Sequence, residues 1–432
     1  MTRKHLKFPA RRPIIEWRRE SAWHRLWPLA LLTLPAAALA QLQLATGGGV
    51  DYEYNSNVFD LQHGYTVPGV NTPPYGDSIT TYGGKVDAAY VWSQQEVRAT
   101  VTGNEHLYDR FSLLNHSDYG LDGLWRWKWR PDLDGLFSVT RDRTMVDLYT
   151  LTNIQLALET VQRETGRIGL QVMPDWRVEA SGYTDHYQEP LVSAPDLGLT
   201  EGSGQAAIKY VHFASITAGL SAGYTHGDFS GTTTAIAPRY HQSDFALTAT
   251  DVVTDLSTFA GRIGYTSRIA DIGSGSANNA SGLSGELDYK RALTGKTTLG
   301  LLLSRTVIPY LSTAGSQIAN IADLKLNWQA TNKIGLAFDY NYTRAQLPGQ
   351  GGAVDGALNG SNRIDRFNYV GLSASYDPVV WLALKPYAHF QDRTSTNFAG
   401  GNFNATAVGV DFSVLWQRGT PPAPNPFQVQ GP

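Results

Sequence analysis

Apolar and polar residues alternate in short runs from Gln41 to the end of the chain. A period of two residues is that of a β-strand, whose side chains point to opposite faces in turn. The connections between runs are alternately long and short, and none has the pattern of a crossover helix, so we expect an antiparallel meander. The last run shows the alternation most fully, with one face formed by Thr406, Val408, Val410, Phe412, Val414 and Trp416.

A meander of this length exposes two edges unless it closes on itself. Closure with apolar residues outward and polar residues inward is the pattern of an outer-membrane barrel. The sequence therefore predicts an all-β fold: a single closed antiparallel transmembrane β-barrel over residues 41–416. We count about eighteen strands, with sixteen as the main alternative, and expect both termini in the periplasm of a bacterial cell.

The first forty residues have the pattern of a secretory signal peptide. A basic leader precedes an apolar stretch from Leu26 to Leu39, and Ala38-Leu39-Ala40 is a small-x-small cleavage site. This segment holds 8 of the 35 basic and 2 of the 38 acidic residues, so its removal leaves a net charge of −9. A mildly acidic chain argues against a nucleic-acid partner.

The absence of cysteine fits passage through the oxidising periplasm and excludes cysteine-based metal or nucleophile chemistry. The segment 417–432 is proline-rich, and we expect it to be an extended periplasmic tail. The aromatic end of the preceding strand predicts recognition by the barrel assembly machinery. Outer-membrane lipid and lipopolysaccharide are the other expected partners.

Tryptophan gives the barrel an expected orientation. All eight tryptophans beyond the leader fall near a short turn or the chain end, which predicts one interfacial girdle at the periplasmic rim. They are Trp92, Trp125, Trp127, Trp129, Trp176, Trp328, Trp381 and Trp416.

Evidence for catalysis is weak. Two histidines stand beside acids near the expected outer rim, in Asp185-His186 and in the pair His226 and Asp228. Nothing identifies a nucleophile, and water-facing rim residues are the favoured interpretation. The sequence has no metal-ligand cluster and no phosphate-binding loop, so we expect neither an enzyme nor a bound cofactor.

The lumen is the better place to look for function. The inward positions carry both signs of charge, which keeps the interior wet and lets opposite charges pair across strands. We expect no strong anion or cation filter. The pore-lining candidates on strands are Asp87, Arg126, Lys128, Arg167 and Asp339.

The connection expected from about Arg141 to Ala157 is more apolar than a solvated loop. It carries Arg141, Asp142, Arg143 and Asp147 ahead of a segment rich in leucine. This composition predicts either a constriction folded into the barrel or a longer hairpin above the rim.

Several segments resemble the EpsL-type outer-membrane proteins, barrel porins encoded with exopolysaccharide biosynthesis and exosortase systems. The resemblance is clearest over about Val50 to Tyr187. It implies a role in moving or anchoring exopolysaccharide, with polysaccharide and periplasmic export proteins as partners, and brings no catalytic motif. The segments are Val50-Asp51-Tyr52-Glu53-Tyr54-Asn55-Ser56-Asn57-Val58-Phe59, Tyr108-Asp109-Arg110-Phe111 through Asp118-Tyr119 to Trp125, Ser138-Val139-Thr140-Arg141-Asp142-Arg143-Thr144 and Pro174-Asp175-Trp176-Arg177.

The sequence thus favours a porin-like conduit that takes part in exopolysaccharide export. A general diffusion porin for small solutes is the first alternative. A structural or adhesive barrel with a blocked lumen is the second.

Overall fold

The structure is a computed structural model that describes residues 42–62, 64, 75–146, 156–189, 197–212, 216–230, 239–254, 256–271, 279–310, 315–347, 363–396 and 401–418. The expected signal peptide, the tail from 419 onward, Asp147 and the centres of several long connections lie outside these residues.

Eighteen strands follow one another along the described chain, with one 3-10 turn at Ser112–Leu114. No helix among these residues is long and apolar enough to cross a membrane. The strands are β1 (Leu42–Asn55), β2 (Asp77–Trp92), β3 (Gln95–Tyr108), β4 (His116–Arg130), β5 (Leu133–Met145), β6 (Leu158–Met173), β7 (Trp176–Glu189), β8 (Leu197–His212), β9 (Ile216–Ser230), β10 (Arg239–Thr254), β11 (Ser257–Ala270), β12 (Ala280–Thr294), β13 (Thr297–Tyr310), β14 (Gly315–Gln329), β15 (Ile334–Leu347), β16 (Arg363–Val379), β17 (Leu382–Ser395) and β18 (Phe403–Arg418).

Each strand pairs antiparallel with its neighbours in sequence, and β1 pairs with both β2 and β18. The sheet is therefore a closed barrel, which confirms the predicted fold and the count of eighteen strands over sixteen. Two boundaries differ from the prediction. Strand β5 continues to Met145 instead of ending before Arg141, and β18 ends at Arg418 instead of Trp416.

The seam between β1 and β18 is tightly packed. A Cβ atom on Gly49 would lie 2.8 Å from the carbonyl oxygen of Phe412, and one on Gly47 would lie 3.0 Å from that of Val414. Side chains at these two positions would push the strands apart. The glycines therefore allow the first and last strands to approach closely over their length.

The outward face of the barrel carries a continuous apolar belt. One register line crosses Leu299, Leu326, Phe338, Leu372 and Ala388 on five successive strands, β13 to β17. Leu372 is 58 % exposed, and Leu283 on β12 is 66 % exposed. Such a surface requires a hydrocarbon environment, and the protein is an integral barrel of the bacterial outer membrane.

The two rims of the barrel differ in their connections. The start of β1 and the end of β18 lie at the rim with the short connections, such as the turn between Trp92 and Gln95. The strand ends that flank the long connections, such as Asn55 with Asp77 and Leu347 with Arg363, lie at the opposite rim. All eight girdle tryptophans lie at or beside the short-connection rim. Its assignment to the periplasmic interface remains a prediction, and we call the opposite rim the outer mouth.

Candidate functional site

Alternation along the strands lines the lumen with polar side chains that pair with one another. Asp87 on β2 lies 3.7 Å from Lys85 Nζ and 4.0 Å from Arg98 Nε. On β4, Arg126 Nη1 lies 3.2 Å from Glu96 Oε2 on the neighbouring strand. These contacts place two of the predicted lining residues in ion pairs along the wall.

The remaining strand candidates also lie on the inward face. Arg167 on β6 is 4.0 Å from a carboxylate oxygen of Asp134. Asp339 on β15 stands directly opposite Lys325 on β14. Lys128 shares the inward face of β4 with Arg126. The five candidates therefore lie around the wall on several strands and do not converge on a single ring.

Two of the constriction candidates lie on a strand and not in the predicted connection. Because β5 continues to Met145, Arg141 and Arg143 belong to a strand and lie on its outward face, paired with Gln162 and Thr160 of β6. Asp142, between them, points inward. The fourth predicted member, Asp147, lies outside the described residues.

A chain of ion pairs joins three strands near the short-connection rim. Arg177 Nη2 lies 2.7 Å from Asp134, and Arg177 Nε donates to Glu179 Oε1 at 2.7 Å. Glu179 in turn accepts from Lys209 Nζ at 2.5 Å. Because each charge has a partner of opposite sign, this section of the wall is polar without presenting a strong field to the lumen.

Arg163 and Asp185 form a two-point ion pair in the outer half of the lumen. The Arg163 Nε and Nη2 atoms donate to the two carboxylate oxygens of Asp185 at 2.7 and 2.5 Å. Asp185 is therefore buried on the inward face, while His186 points outward and contacts Thr200. The structure separates this acid from the histidine beside it in sequence, so they form no catalytic pair.

A second buried group lies beside it, on β7, β8, β10 and β11. Glu201 accepts hydrogen bonds from the hydroxyl groups of Tyr183 and Tyr240. The guanidinium of Arg268 stacks on the Tyr240 ring with its carbon 4.1 Å from the ring centroid, and its Nε donates to Gln242 at 2.8 Å. These contacts stiffen the wall near the outer mouth.

The most fully buried ion pairs of the barrel lie on β16 and β17. Asp365 accepts from Arg363 at 3.0 and 2.7 Å, from Arg393 at 2.8 Å and from Ser395 at 2.5 Å. The Arg393 side chain has no exposed surface. A buried carboxylate between two guanidinium groups holds these strands in register at the outer mouth.

An apolar cluster on the inner side of the outer mouth was missed by sequence reasoning. Phe59 of the connection between β1 and β2 and Leu114 of the connection between β3 and β4 are fully buried, and Phe111 packs edge-on to Phe59 at 4.7 Å between ring centroids. They pack against Tyr108 and Ile79, whose side chains point inward from β3 and β2. The described parts of these two connections therefore pack against the inner wall of the barrel. The signal for this was the apolar Val58-Phe59 pair just beyond a strand.

Polar contacts hold the same connection against the wall. The Asn57 amide nitrogen donates to the carbonyl oxygens of Leu61 at 2.9 Å and Asn404 at 3.0 Å. Gln391 on the inward face of β17 donates to Asp60 at 2.9 Å. The segment Asn57–Leu61 thus lies inside the mouth, a position that the sequence predicts only for the connection after Arg141, as one of two alternatives.

One cluster of potential metal ligands exists among the described residues, formed by His106, His116 and Asp118 on the inward face of β3 and β4. Hydrogen bonds account for its arrangement. His106 contacts Thr81 through Nδ1 at 3.0 Å and Asp118 through Nε2 at 2.8 Å. His116 Nδ1 lies 2.7 Å from the carbonyl oxygen of Leu114. The cluster is therefore explained as a polar network behind the mouth.

No family model and no curated protein matches the chain. Solved barrels resemble it at low identity. The outer membrane protein OpdK from Pseudomonas aeruginosa is 12 % identical, covers 86 % of this chain and 99 % of its own, and gives a TM-score of 0.44. OccAB3 from Acinetobacter baumannii is 11 % identical over 87 % of this chain and 100 % of its own, with a TM-score of 0.45. The siderophore receptor PirA from Pseudomonas aeruginosa is 9 % identical over 87 % of this chain and 80 % of its own, with a TM-score of 0.42. Likeness at this level does not indicate what crosses the lumen.

Proposed function

We propose that the protein is a porin-like conduit for polar molecules across the outer membrane. The observation that carries this proposal is the polar lining of the lumen. Inward side chains are polar and charged along the described strands, and they pair laterally with neighbours such as Arg177 with Asp134. Lateral pairing satisfies the charges along the wall, which suits an aqueous lumen better than a packed core.

We propose further that the conduit takes part in exopolysaccharide export. The resemblance of the segment Val50–Tyr187 to EpsL-type proteins supports this role. An aromatic strip on the inward face of β16 and β17 also supports it. Tyr369 lies 5.4 Å from His389 between ring centroids, and Tyr387 stacks on the other side of His389 at 6.3 Å with an interplanar angle of 3°.

Carboxylates stand beside this aromatic strip. The Tyr387 hydroxyl lies 2.9 Å from both Asp51 Oδ2 and Glu53 Oε2 on β1. Flat rings offer the apolar faces of a sugar a surface to stack on, and carboxylates accept hydrogen bonds from its hydroxyl groups. The combination suits weak, repeated contacts with a passing polysaccharide chain.

The test is single-channel recording of the purified protein in planar lipid bilayers, with and without the exopolysaccharide secreted by the parent strain. We expect an open, weakly selective pore that the polysaccharide blocks transiently. The double variant Tyr369→Ser with His389→Ser should show at least tenfold fewer blocking events at unchanged open conductance. Asn327→Ser, an inward change on β14, is the matched control and should keep them.

Each alternative has its own outcome in this recording. Conduction without any block by the polysaccharide would contradict the export role and favour a general diffusion porin. No conduction at all would contradict both transport roles and favour a structural barrel with a blocked lumen.

A further inference from the structure

Three arginines and one asparagine lie along one register line on the outward face, near the outer mouth. Arg305 on β13 pairs in register with Asn320 on β14, which pairs with Arg344 on β15, which pairs with Arg366 on β16. We call these four residues the arginine row. The row crosses four adjacent strands along one register line, and neighbouring strands lie about 4.8 Å apart. Three positive charges are therefore concentrated within roughly 15 Å of barrel surface.

The row stands directly above the membrane belt. Two residues nearer the short-connection rim, the next register line crosses Leu303, Ala322, Tyr342 and Asn368. The line after that crosses Leu301, Leu324, Tyr340 and Val370, which is fully within the belt. With the predicted orientation of the barrel, we expect the guanidinium groups to lie near the boundary between the acyl chains and the headgroups of the outer leaflet.

The arrangement of Arg344 and Arg366 is unfavourable without an anion. Like charges that stand directly opposite on one face of an antiparallel pair destabilise it. Within the described residues none of the three arginines has a salt bridge, whereas Arg239, outward on β10, is 2.6 Å from Asp228. The outward carboxylate on the next register line, Asp392 of β17, accepts from Asn368 at 3.2 Å and forms no salt bridge with Arg366. The three arginines therefore carry positive charge without a salt-bridge partner among the described residues.

Hydrogen bonds within the protein fix the positions of Arg305 and Asn320 before any ligand binds. Arg305 Nε donates to the Leu283 carbonyl oxygen at 3.0 Å, and its Nη1 donates to Asn320 Oδ1 at 2.7 Å. The Asn320 amide nitrogen lies 3.4 Å from the carbonyl oxygen of Arg344. These contacts extend one guanidinium along the barrel surface and leave Arg366 exposed to the surroundings.

We propose that the arginine row binds the phosphate groups of a phosphorylated glycolipid in the outer leaflet, namely lipopolysaccharide. Guanidinium groups bind phosphate oxygens at two points, and several phosphates on one lipid would contact several arginines at once. The acyl chains of the same lipid would cover the belt below the row. A lipid-borne phosphate fits this position because its chains and its charge meet the protein on adjacent register lines.

The test measures binding of purified lipopolysaccharide to the full-length protein in a neutral detergent, by native mass spectrometry or thermophoresis. The double variant Arg344→Gln with Arg366→Gln should bind about 30-fold more weakly, equivalent to about 2 kcal/mol for two basic residues at a membrane surface. The matched control is Arg98→Gln with Arg262→Gln, which removes two inward arginines that do not face lipid and should bind within twofold of wild type.

Two further arms separate the possible anions and exclude unfolding. Enzymatically dephosphorylated lipopolysaccharide should bind as weakly to the wild type as the intact lipid binds to the double variant. Inorganic phosphate at millimolar concentration should not compete, and full competition would overturn the proposal in favour of a free-anion site.

Without lipopolysaccharide the double variant should melt no lower than the wild type, because the substitutions remove the repulsion between the Arg344 and Arg366 side chains. Equal binding by wild type and double variant would also overturn the proposal.

Discussion

Gln391 on the inner wall of β17 donates a hydrogen bond to Asp60 of the first connection at 2.9 Å, although 331 positions separate the two residues. The contact ties the segment Asn57–Leu61 to the strand that lies two places from β1 around the closed barrel. The segment Asn57–Leu61 is therefore a fixed part of the outer mouth. Its anchor is the buried Phe59 cluster, and this gives the first prediction.

Replacing Phe59 by Ser should release the connection and raise single-channel conductance. Removing a buried phenylalanine costs about 3 to 5 kcal/mol of local packing, more than the few polar contacts of Asn57 and Asp60 supply. Planar bilayer recording gives the measurement. Leu113→Ser is the control, since Leu113 is 48 % exposed beside the fully buried Leu114. If Phe59→Ser and wild type conduct alike, the connection does not narrow the pathway.

The two faces of β16 should respond oppositely to the same substitution. Leu372→Arg places a charge in the apolar belt and should cost about 2 to 4 kcal/mol near the midplane. Ser373→Arg, one residue further, places it in the lumen and should cost under about 1 kcal/mol. Urea unfolding in phospholipid vesicles measures both. Equal damage at the two positions would mean that the assigned faces are wrong.

Asp365→Asn should destabilise the barrel strongly, because it removes the carboxylate from between Arg363 and the buried Arg393. Breaking a buried ion pair costs about 3 to 5 kcal/mol, and the same unfolding assay detects it. Asp288→Asn serves as the control. Its partner Lys290 is exposed at 3.0 Å, so the loss should stay below about 1 kcal/mol. A small effect at Asp365 would show that water replaces the missing carboxylate.

Surface tags test which rim faces the medium. A tag inserted at Gly352 should be labelled in intact cells, and a tag at Asn332 in the short connection after β14 should be labelled only after the outer membrane is opened. This follows from tryptophan concentrated at the short-connection rim. Labelling at Asn332 in intact cells would invert the barrel.

The closing strand should tolerate loss of the tail but not of its outward aromatics. Because Gln417 and Arg418 pair with Ala45 and Leu44, a deletion should start at residue 419 to keep the seam. That truncated chain should still give a heat-modifiable band on an unheated gel. Phe412→Ala with Trp416→Ala should lower the outer-membrane level sharply. A tail deletion that abolishes assembly would assign the tail a role in insertion.

The barrel could be predicted from the sequence because several independent patterns indicate it. Alternation, paired connection lengths and aromatic strand ends all indicate the same topology, so an error at one strand did not change the count. The pattern failed above the membrane, where both faces of a strand meet water. There the apolar signal disappears, and Arg141 and Arg143 were interpreted as part of a connection although β5 continues through them.

The outer mouth could not be predicted for a different reason. Phe59 packs against residues of β2, β3 and the connection after β3, so its burial depends on how connections fold over the closed wall. The arginine row depends on strand register across the connection 348–362, which fixes Arg344 opposite Arg366. Neither relationship produces a periodic pattern in the amino-acid sequence.

The glycine-lined seam has a consequence for the timing of assembly. Strands β1 and β18 are the first and last strands of the barrel, so every other pair of strands joins near neighbours in sequence while this pairing joins the two ends of the sheet. Until then the sheet has two unpaired edges, which are templates for aggregation. Gly47 and Gly49 remove the side chains that would obstruct docking at that final step. A bulky residue at Gly49 should therefore slow maturation and lengthen dependence on chaperones in the periplasm, even where the finished barrel withstands heat.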